Sequence, residues 1–169
     1  AKGYAVDVIS NYIESKGLLN YLIDIGGEIK SSGTNISKKD HWKIAINNPD
    51  FSNNNSFYKI LRLSNHSIAT SGNYRNFKID SITGNKYVHI LNPITGKSQQ
   101  TNILSASVVS SSCFKSDAFA TAMMASNLKN AISITENNND IESFIIYVDS
   151  LNNITDYASA GFKKLLIKP

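Results

Sequence analysis

Short runs that alternate apolar and polar residues follow one another along most of this 169-residue chain, with little but turn residues between them. Strands so close in sequence pair antiparallel, because a parallel partner needs a crossover of a dozen residues or more. The alternation predicts strands over 21–25, ending at Gly26-Gly27, over 42–46 before Pro49, over 58–63 and over 67–70. Residues 77–80 and 86–90 flank Thr83-Gly84-Asn85, the strongest hairpin signal present. Residues 103–110 form a strand rich in Val and Ser, and 144–148 and 154–157 make a hairpin about Leu151-Asn152-Asn153. Helical spacing is confined to 4–16 (through Ala5, Val8, Ile9, Tyr12 and Ile13, stopped by Gly17), 116–125 and 128–134. The predicted class is α+β, a mostly antiparallel sheet with a few packed helices, and residues 1–169 are long enough for one well-buried domain.

Composition removes several functions. A single cysteine, Cys113, excludes an intrachain disulfide and any cysteine-cluster metal site, and beside Phe114 it reads as a small apolar residue rather than a nucleophile. The net charge of +4 comes from basic residues scattered singly or in pairs (Lys38-Lys39, Lys163-Lys164). No basic stripe interleaved with aromatics is present, so nucleic acid is not an expected partner. No apolar run approaches the roughly 20 residues that span a bilayer. The opening Ala1-Lys2-Gly3-Tyr4 has no signal-peptide pattern and reads as the interior of a longer sequence. Asn-rich 47–56 and 136–140 read as solvated loops.

Four short segments carry candidate chemistry. In Ser116-Asp117-Ala118-Phe119-Ala120-Thr121, a helix sets Asp117 and Thr121 on one face, a carboxylate and a hydroxyl that suit one hard cation such as Mg²⁺. The structural alternative is that Ser116 caps the helix and Asp117 complements its dipole. In Ala1-Lys2-Gly3-Tyr4, glycine permits close backbone approach and Lys2 adds a point charge at a helix N-terminus, which suits a diphosphate or simply starts a helix. Ser71-Gly72-Asn73-Tyr74-Arg75 presents an aromatic ring beside a guanidinium, able to stack on a flat heterocycle or to close the edge of a core. His89 ends a strand just before the turn at Asn92-Pro93, with Thr95-Gly96 following, and an imidazole at a sheet rim serves either a ligand or the structure. His41 and His66 lack comparable surroundings.

The order and wording of these segments resemble one family. Lys2-Gly3-Tyr4-Ala5-Val6-Asp7, Gly26-Gly27-Glu28-Ile29, Trp42-Lys43-Ile44-Ala45-Ile46, Ala69-Thr70-Ser71-Gly72-Asn73-Tyr74-Arg75-Asn76, His89-Ile90-Leu91-Asn92-Pro93-Ile94-Thr95-Gly96 and Ser116-Asp117-Ala118-Phe119-Ala120-Thr121-Ala122 are similar to motifs of the FAD:protein FMN transferases, once called thiamine-biosynthesis lipoproteins. The resemblance implies that Asp117, Thr121 and a backbone carbonyl near Ala1 bind Mg²⁺. It implies that Lys2, Gly3, Tyr4, Ser71, Gly72, Tyr74, Arg75, His89 and Thr95 surround FAD. It also implies transfer of FMN to a Thr or Ser hydroxyl of an acceptor flavoprotein with release of AMP, and a neutral imidazole at His89 is the expected base for that hydroxyl's proton. Water in place of the acceptor would make the chain an FAD diphosphatase, and an incomplete pocket would make it a non-catalytic flavin-binding half-site. Family members are about twice this length, so the resemblance implies a missing N-terminal half with part of the FAD pocket and a lipid-bearing cysteine. That lipid would be the membrane anchor, at the periplasmic outer face of the bacterial inner membrane. Asn92 departs from the Asp found in many members.

Overall fold

A computed structural model describes residues 1–49, 57–73, 77–79, 86–88, 96 and 101–167. Helix α1 (Lys2–Ser15) precedes β1 (Tyr21–Ile25) and β2 (Glu28–Ser32). These two strands are joined at Gly26-Gly27, where φ is 62° and 96°, a pair of left-handed residues that glycine adopts without strain and that suits a tight hairpin. Next come the hairpin strands β3 (Trp42–Asn47) and β4 (Phe57–Leu63), then β5 (Ser67–Gly72), then the short pair β6 (Phe77–Ile79) and β7 (Lys86–Val88). Strand β8 (Ile103–Ser110) leads into α2 (Cys113–Met124) and α3 (Leu128–Glu136), and β9 (Ile141–Val148), β10 (Ile154–Ala158) and α4 (Ala160–Leu165) follow.

Six strands make one sheet in the order β1-β2-β5-β8-β9-β10, every neighbouring pair antiparallel. The predicted α+β class with antiparallel pairing is therefore borne out. The predicted element list lacked β2, α4 and the first turn of α2.

Both faces of the sheet are covered, which explains why β8 reads as continuous Val, Ala and Ser rather than as an alternation. On one face Ile68, Val109, Phe144 and Ile146 meet Ile44, Ile46, Leu61 and Leu63 of the β3–β4 hairpin and Phe162 of α4. Phe162 stacks on Phe144 with ring centres 5.4 Å apart. On the other face Ala106, Val108, Ile141 and Ile145 meet Ala120, Met123 and Met124 of α2 and Ala131 of α3. Several buried serines of this sheet pair with a second hydroxyl, whereas Ser67 Oγ at the start of β5 has no hydrogen-bond partner. Ser107 meets Thr70 at 2.8 Å, Ser110 meets Ser116 at 2.9 Å and Ser143 meets Thr135 at 2.7 Å.

Ser116 thus lies inside α2 and does not cap it. The cap comes from far away in sequence. Asp7 of α1 accepts the Cys113 and Phe114 backbone N–H groups at 3.0 and 2.9 Å, satisfying donors that a helix start leaves open. Helix α2 returns the arrangement, since Asp117 Oδ2 accepts the Gly3 N–H at the start of α1 at 3.0 Å. Two helices in contact therefore cap each other with one carboxylate apiece. Such closeness needs glycine: a Cβ on Gly3 would stand 2.4 Å from the Cys113 carbonyl oxygen and 2.8 Å from Asp117 Cβ. Among the described residues no helix is long and apolar enough to cross a membrane.

Candidate functional site

The start of α1, the first turns of α2 and the end of β5 meet at one place. Helix α2 lies across β5 and β8, and α1 lies against α2 and the β1–β2 hairpin. Asp117, one turn into α2, is only partly exposed and has its Oδ2 fixed by Gly3. Ala1 stands beside it, its nitrogen 3.5 Å from the same oxygen. Thr121 follows at i+4 and donates its hydroxyl proton to the Asp117 carbonyl at 2.9 Å. With that proton committed, the 3.3 Å contact between Ser71 and Thr121 is donated by Ser71, and Thr121 keeps a lone pair for another partner. The helix and the sheet thus bring together Ala1, Gly3, Ser71, Asp117 and Thr121, which the sequence reading assigned to one site.

The donor set suits a hard divalent cation. It combines one carboxylate, one hydroxyl with a free lone pair, and the Ala1 carbonyl, which accepts the Ala5 N–H at 3.2 Å and retains a second lone pair. It contains a single acidic side chain. Accordingly, no cluster of three or more His, Cys, Asp or Glu suited to a metal occurs among the described residues.

Lys2 is engaged rather than isolated. Its ammonium is 2.6 Å from Glu28 Oε2 and donates to the Gly26 carbonyl at 3.2 Å, while its side chain stays 55% exposed and open to an anion. Glu28 is 4% exposed. An ion pair with one partner buried this deeply fixes where the lysine sits, since a buried carboxylate without its cation would be costly. Tyr4 is exposed on the outer side of α1. Gly72 ends β5 next to Ser71. His89, Tyr74, Arg75 and Thr95 lie outside the described residues.

Three residues of the site received no role from sequence. Asp7 caps α2 and pairs with Lys30 at 3.3 Å, Glu28 holds Lys2, and Asn73 directly follows the Ser71-Gly72 pair. Asn73 is 4% exposed, its backbone N–H binds the Leu104 carbonyl at 2.9 Å, and its carboxamide N and O have no hydrogen-bond partner. A buried amide without partners is expensive to leave so. All three stand inside the motifs that carry the family resemblance. Their roles depend on contacts over 23 or more positions, which short-range spacing does not report.

Comparison with known proteins agrees with the fold. The model of the ApbE family matches residues 1–145. The FAD:protein FMN transferase of Vibrio cholerae serotype O1 is 36% identical over 169 residues, a match that takes in 99% of this chain and 48% of that protein. Its counterpart in Haemophilus influenzae is 32% identical over 165 residues, taking in 98% and 46%. Among solved structures, the flavin transferase ApbE from Vibrio cholerae superposes with a TM-score of 0.82 at 33% identity, covering 98% of this chain and 50% of that one. The chain therefore spans about half the length of the curated relatives it matches.

Proposed function

The chain belongs to the ApbE family, and we propose that it forms the metal-bearing wall of an FAD:protein FMN transferase. The observation that carries this reading is the convergence of Gly3, Ser71, Asp117 and Thr121 within hydrogen-bond distance, from three elements far apart in sequence. In the reaction, a Thr or Ser hydroxyl oxygen of the acceptor bonds to the FMN-side phosphorus of FAD. The bond from that phosphorus to the bridging oxygen breaks, and AMP leaves with the electron pair. Mg²⁺ held by Asp117, Thr121 and the Ala1 carbonyl would neutralise the diphosphate charge that builds up in the transition state.

The chain's own groups do the rest. Asp117 is held rigidly by the α1 amide, so it meets a cation without first having to be ordered. Lys2 offers its exposed ammonium to phosphate oxygens while Glu28 anchors it. The unpartnered Asn73 carboxamide supplies donors and an acceptor to FAD, and Ser71 a hydroxyl oxygen that accepts. His89 is the proposed base for the acceptor hydroxyl proton, on the strength of its sequence setting. A His89→Asn variant that transfers FMN at the normal rate would remove it from the mechanism.

The test mixes this chain with FAD, Mg²⁺ and a Thr-containing acceptor protein, then follows acceptor mass and released AMP. An FMN-sized mass gain that EDTA abolishes and Asp117→Ala prevents is the expected result. AMP without a labelled acceptor means that water takes the place of the hydroxyl, as in an FAD diphosphatase. Undiminished Mg²⁺-dependent turnover in Asp117→Ala would overturn the ligand assignment. The half-length match supports one further reading, a non-catalytic flavin-binding half-site, which FAD binding without either product would select; neither product with FAD binding also absent would mean that the chain is only the metal-bearing half of a site completed elsewhere.

A further inference from the structure

The oxygen cluster that suits a cation lies at the starts of two helices, α1 and α2. Unpaired amides make such ends electropositive, so this is poor ground for a cation unless carboxylates offset them. Asp117 does so for α1, through its bond to the Gly3 N–H. Asp7 does so for α2: its Oδ1 accepts the Cys113 N–H and its Oδ2 the Phe114 N–H, so both oxygens are spent on the first turn of that helix. The two carboxylates differ in one respect. Gly3 occupies an oxygen of the residue that would bind the cation, whereas the Asp7 bonds use none of the cluster's atoms and can persist whatever Asp117 holds.

Asp7 is itself fixed from the sheet. Lys30 of β2 lies 3.3 Å from its Oδ1, and the two side chains are only 17% and 16% exposed. Two residues earlier on β2, Glu28 pairs with Lys2 at 2.6 Å. Helix α1 thus brings a cation to an anion of β2 and an anion to a cation of β2. Reversing the helix on the strand would oppose Lys2 to Lys30 and Asp7 to Glu28, so the charges favour one direction of docking. That direction puts Ala1 and Gly3 at Asp117. Burial first, and then the charges of Asp7, Glu28 and Asp117, push the Cys113 thiol up, so three carboxylates act on one buried point.

We propose that Asp7 is a positioning residue for the cation site: it holds α1 and α2 in the register that brings the Ala1 carbonyl to Asp117 and Thr121, and its charge offsets the positive end of α2. This rests on the reading of that cluster as a cation site. Asp7 touches neither cation nor substrate, so its substitution acts on how tightly the cluster binds.

The test titrates Mn²⁺, which takes the same oxygen ligands as Mg²⁺, into this chain and follows the free ion by electron paramagnetic resonance. Loss of binding in Asp117→Ala locates the site. Asp7→Asn, which keeps the shape and removes the charge, should then weaken binding about tenfold or more, under conditions where circular dichroism shows both proteins folded. Phe162→Leu is the control, a core change on the opposite face of the sheet that destabilises the fold without touching α1 or α2. Its affinity should match the parent's. Equal affinities for Asp7→Asn and the parent would overturn the proposal, as would equal weakening in Phe162→Leu. Should Asp7→Asn fail to fold, amide exchange in the unaltered chain decides. Binding and helix register are reciprocal, so Mg²⁺ should slow exchange of the Cys113 and Phe114 N–H groups more than that of Ala131 in α3, and equal slowing would overturn the proposal. A parent chain that binds no Mn²⁺, or binds it equally after Asp117→Ala, refutes the cation reading and the proposal with it.

Discussion

Replacing Gly3 with alanine sets two physical effects against each other, and the sign of the outcome decides between them. Helix propensity favours alanine over glycine by up to about 1 kcal/mol. Packing opposes it, because the new methyl would lie 2.4 Å from the Cys113 oxygen, 2.8 Å from the Cys113 carbon and 2.8 Å from Asp117 Cβ. Atoms in ordinary contact sit at about 3.5–4 Å, so relief needs α1 and α2 to part by roughly an ångström. Both backbone contacts belong to the first turn of a helix and have no flexible end to swing away. Overpacking of this kind costs about 1–3 kcal/mol, and parting the helices also stretches the Gly3–Asp117 bond, a charge-assisted contact worth about 1.5–3 kcal/mol when fully lost. Setting the propensity gain against these, Gly3→Ala should destabilise the protein by about 2 kcal/mol net. With a urea dependence of about 2 kcal/mol per molar, the unfolding midpoint falls by about 1 M. Circular dichroism in a urea series reads this directly. A midpoint that is unchanged or raised would show that the helices are not in contact at Gly3 and that propensity alone governs the position.

Three other outcomes follow from contacts already described. Asp7→Ala strips α2 of the acceptor for Cys113 and Phe114 and leaves Lys30 without its ion pair, so it should cost about 2 kcal/mol in the same assay; a change within about 0.5 kcal/mol would contradict the cross-helix cap. The Cys113 thiol is pushed up to about 12, first by burial and then by the negative charges of Asp7, Glu28 and Asp117. It should not react with a thiol reagent at about pH 8 until the protein unfolds, and one equivalent consumed within minutes by native protein would refute that. Tyr21 is raised from 10.0 to about 12 by burial and its hydrogen bond to Glu14, and Tyr58 likewise by burial and Asp156. The folded state therefore holds these protons to higher pH than the unfolded chain does. Their contribution is complete below pH 10 and declines between 10 and about 12, so urea midpoints should fall between about pH 9 and 11.5, and a flat profile would contradict the shift.

Much of the fold is legible in the sequence because most of its pairing is local. The antiparallel class, the β1 and β8 boundaries, and the β9–β10 hairpin follow from alternation and turn residues. Helix α1 is legible for an unexpected reason. The apolar series Ala5, Val8, Ile9, Tyr12 and Ile13 that marks it as a helix is largely the exposed series, while the buried seam runs through Gly3, Val6 and Ser10. Periodicity announces a helix but not which apolar face meets the body. Strand β2, which is Glu-Ile-Lys-Ser-Ser, is missed because its polar residues are buried against partners supplied elsewhere, Glu28 by Lys2 among them. The start of α2 is missed because its cap, Asp7, lies 106 positions earlier than Cys113. At the site, Asp117 and Thr121 are legible through their i,i+4 spacing, and the approach of Ser71 to Thr121 is a product of sheet order that no local pattern encodes.

The mutual capping of α1 and α2 also fixes when the site can exist. Gly3 and Asp117 are separated by 114 positions. At a translation rate of about 5–20 residues per second, α1 leaves the ribosome roughly ten seconds ahead of the helix that completes it. During that interval both of its apolar sides are bare and its first amide has no carboxylate to bind. The nascent chain can close its β1–β2 hairpin, yet it holds no assembled oxygen cluster until α2 emerges and docks. The oxygen cluster is thus completed late in biosynthesis, and a ribosome stall after β2 has emerged but before α2 yields a chain with a formed hairpin and an unformed site.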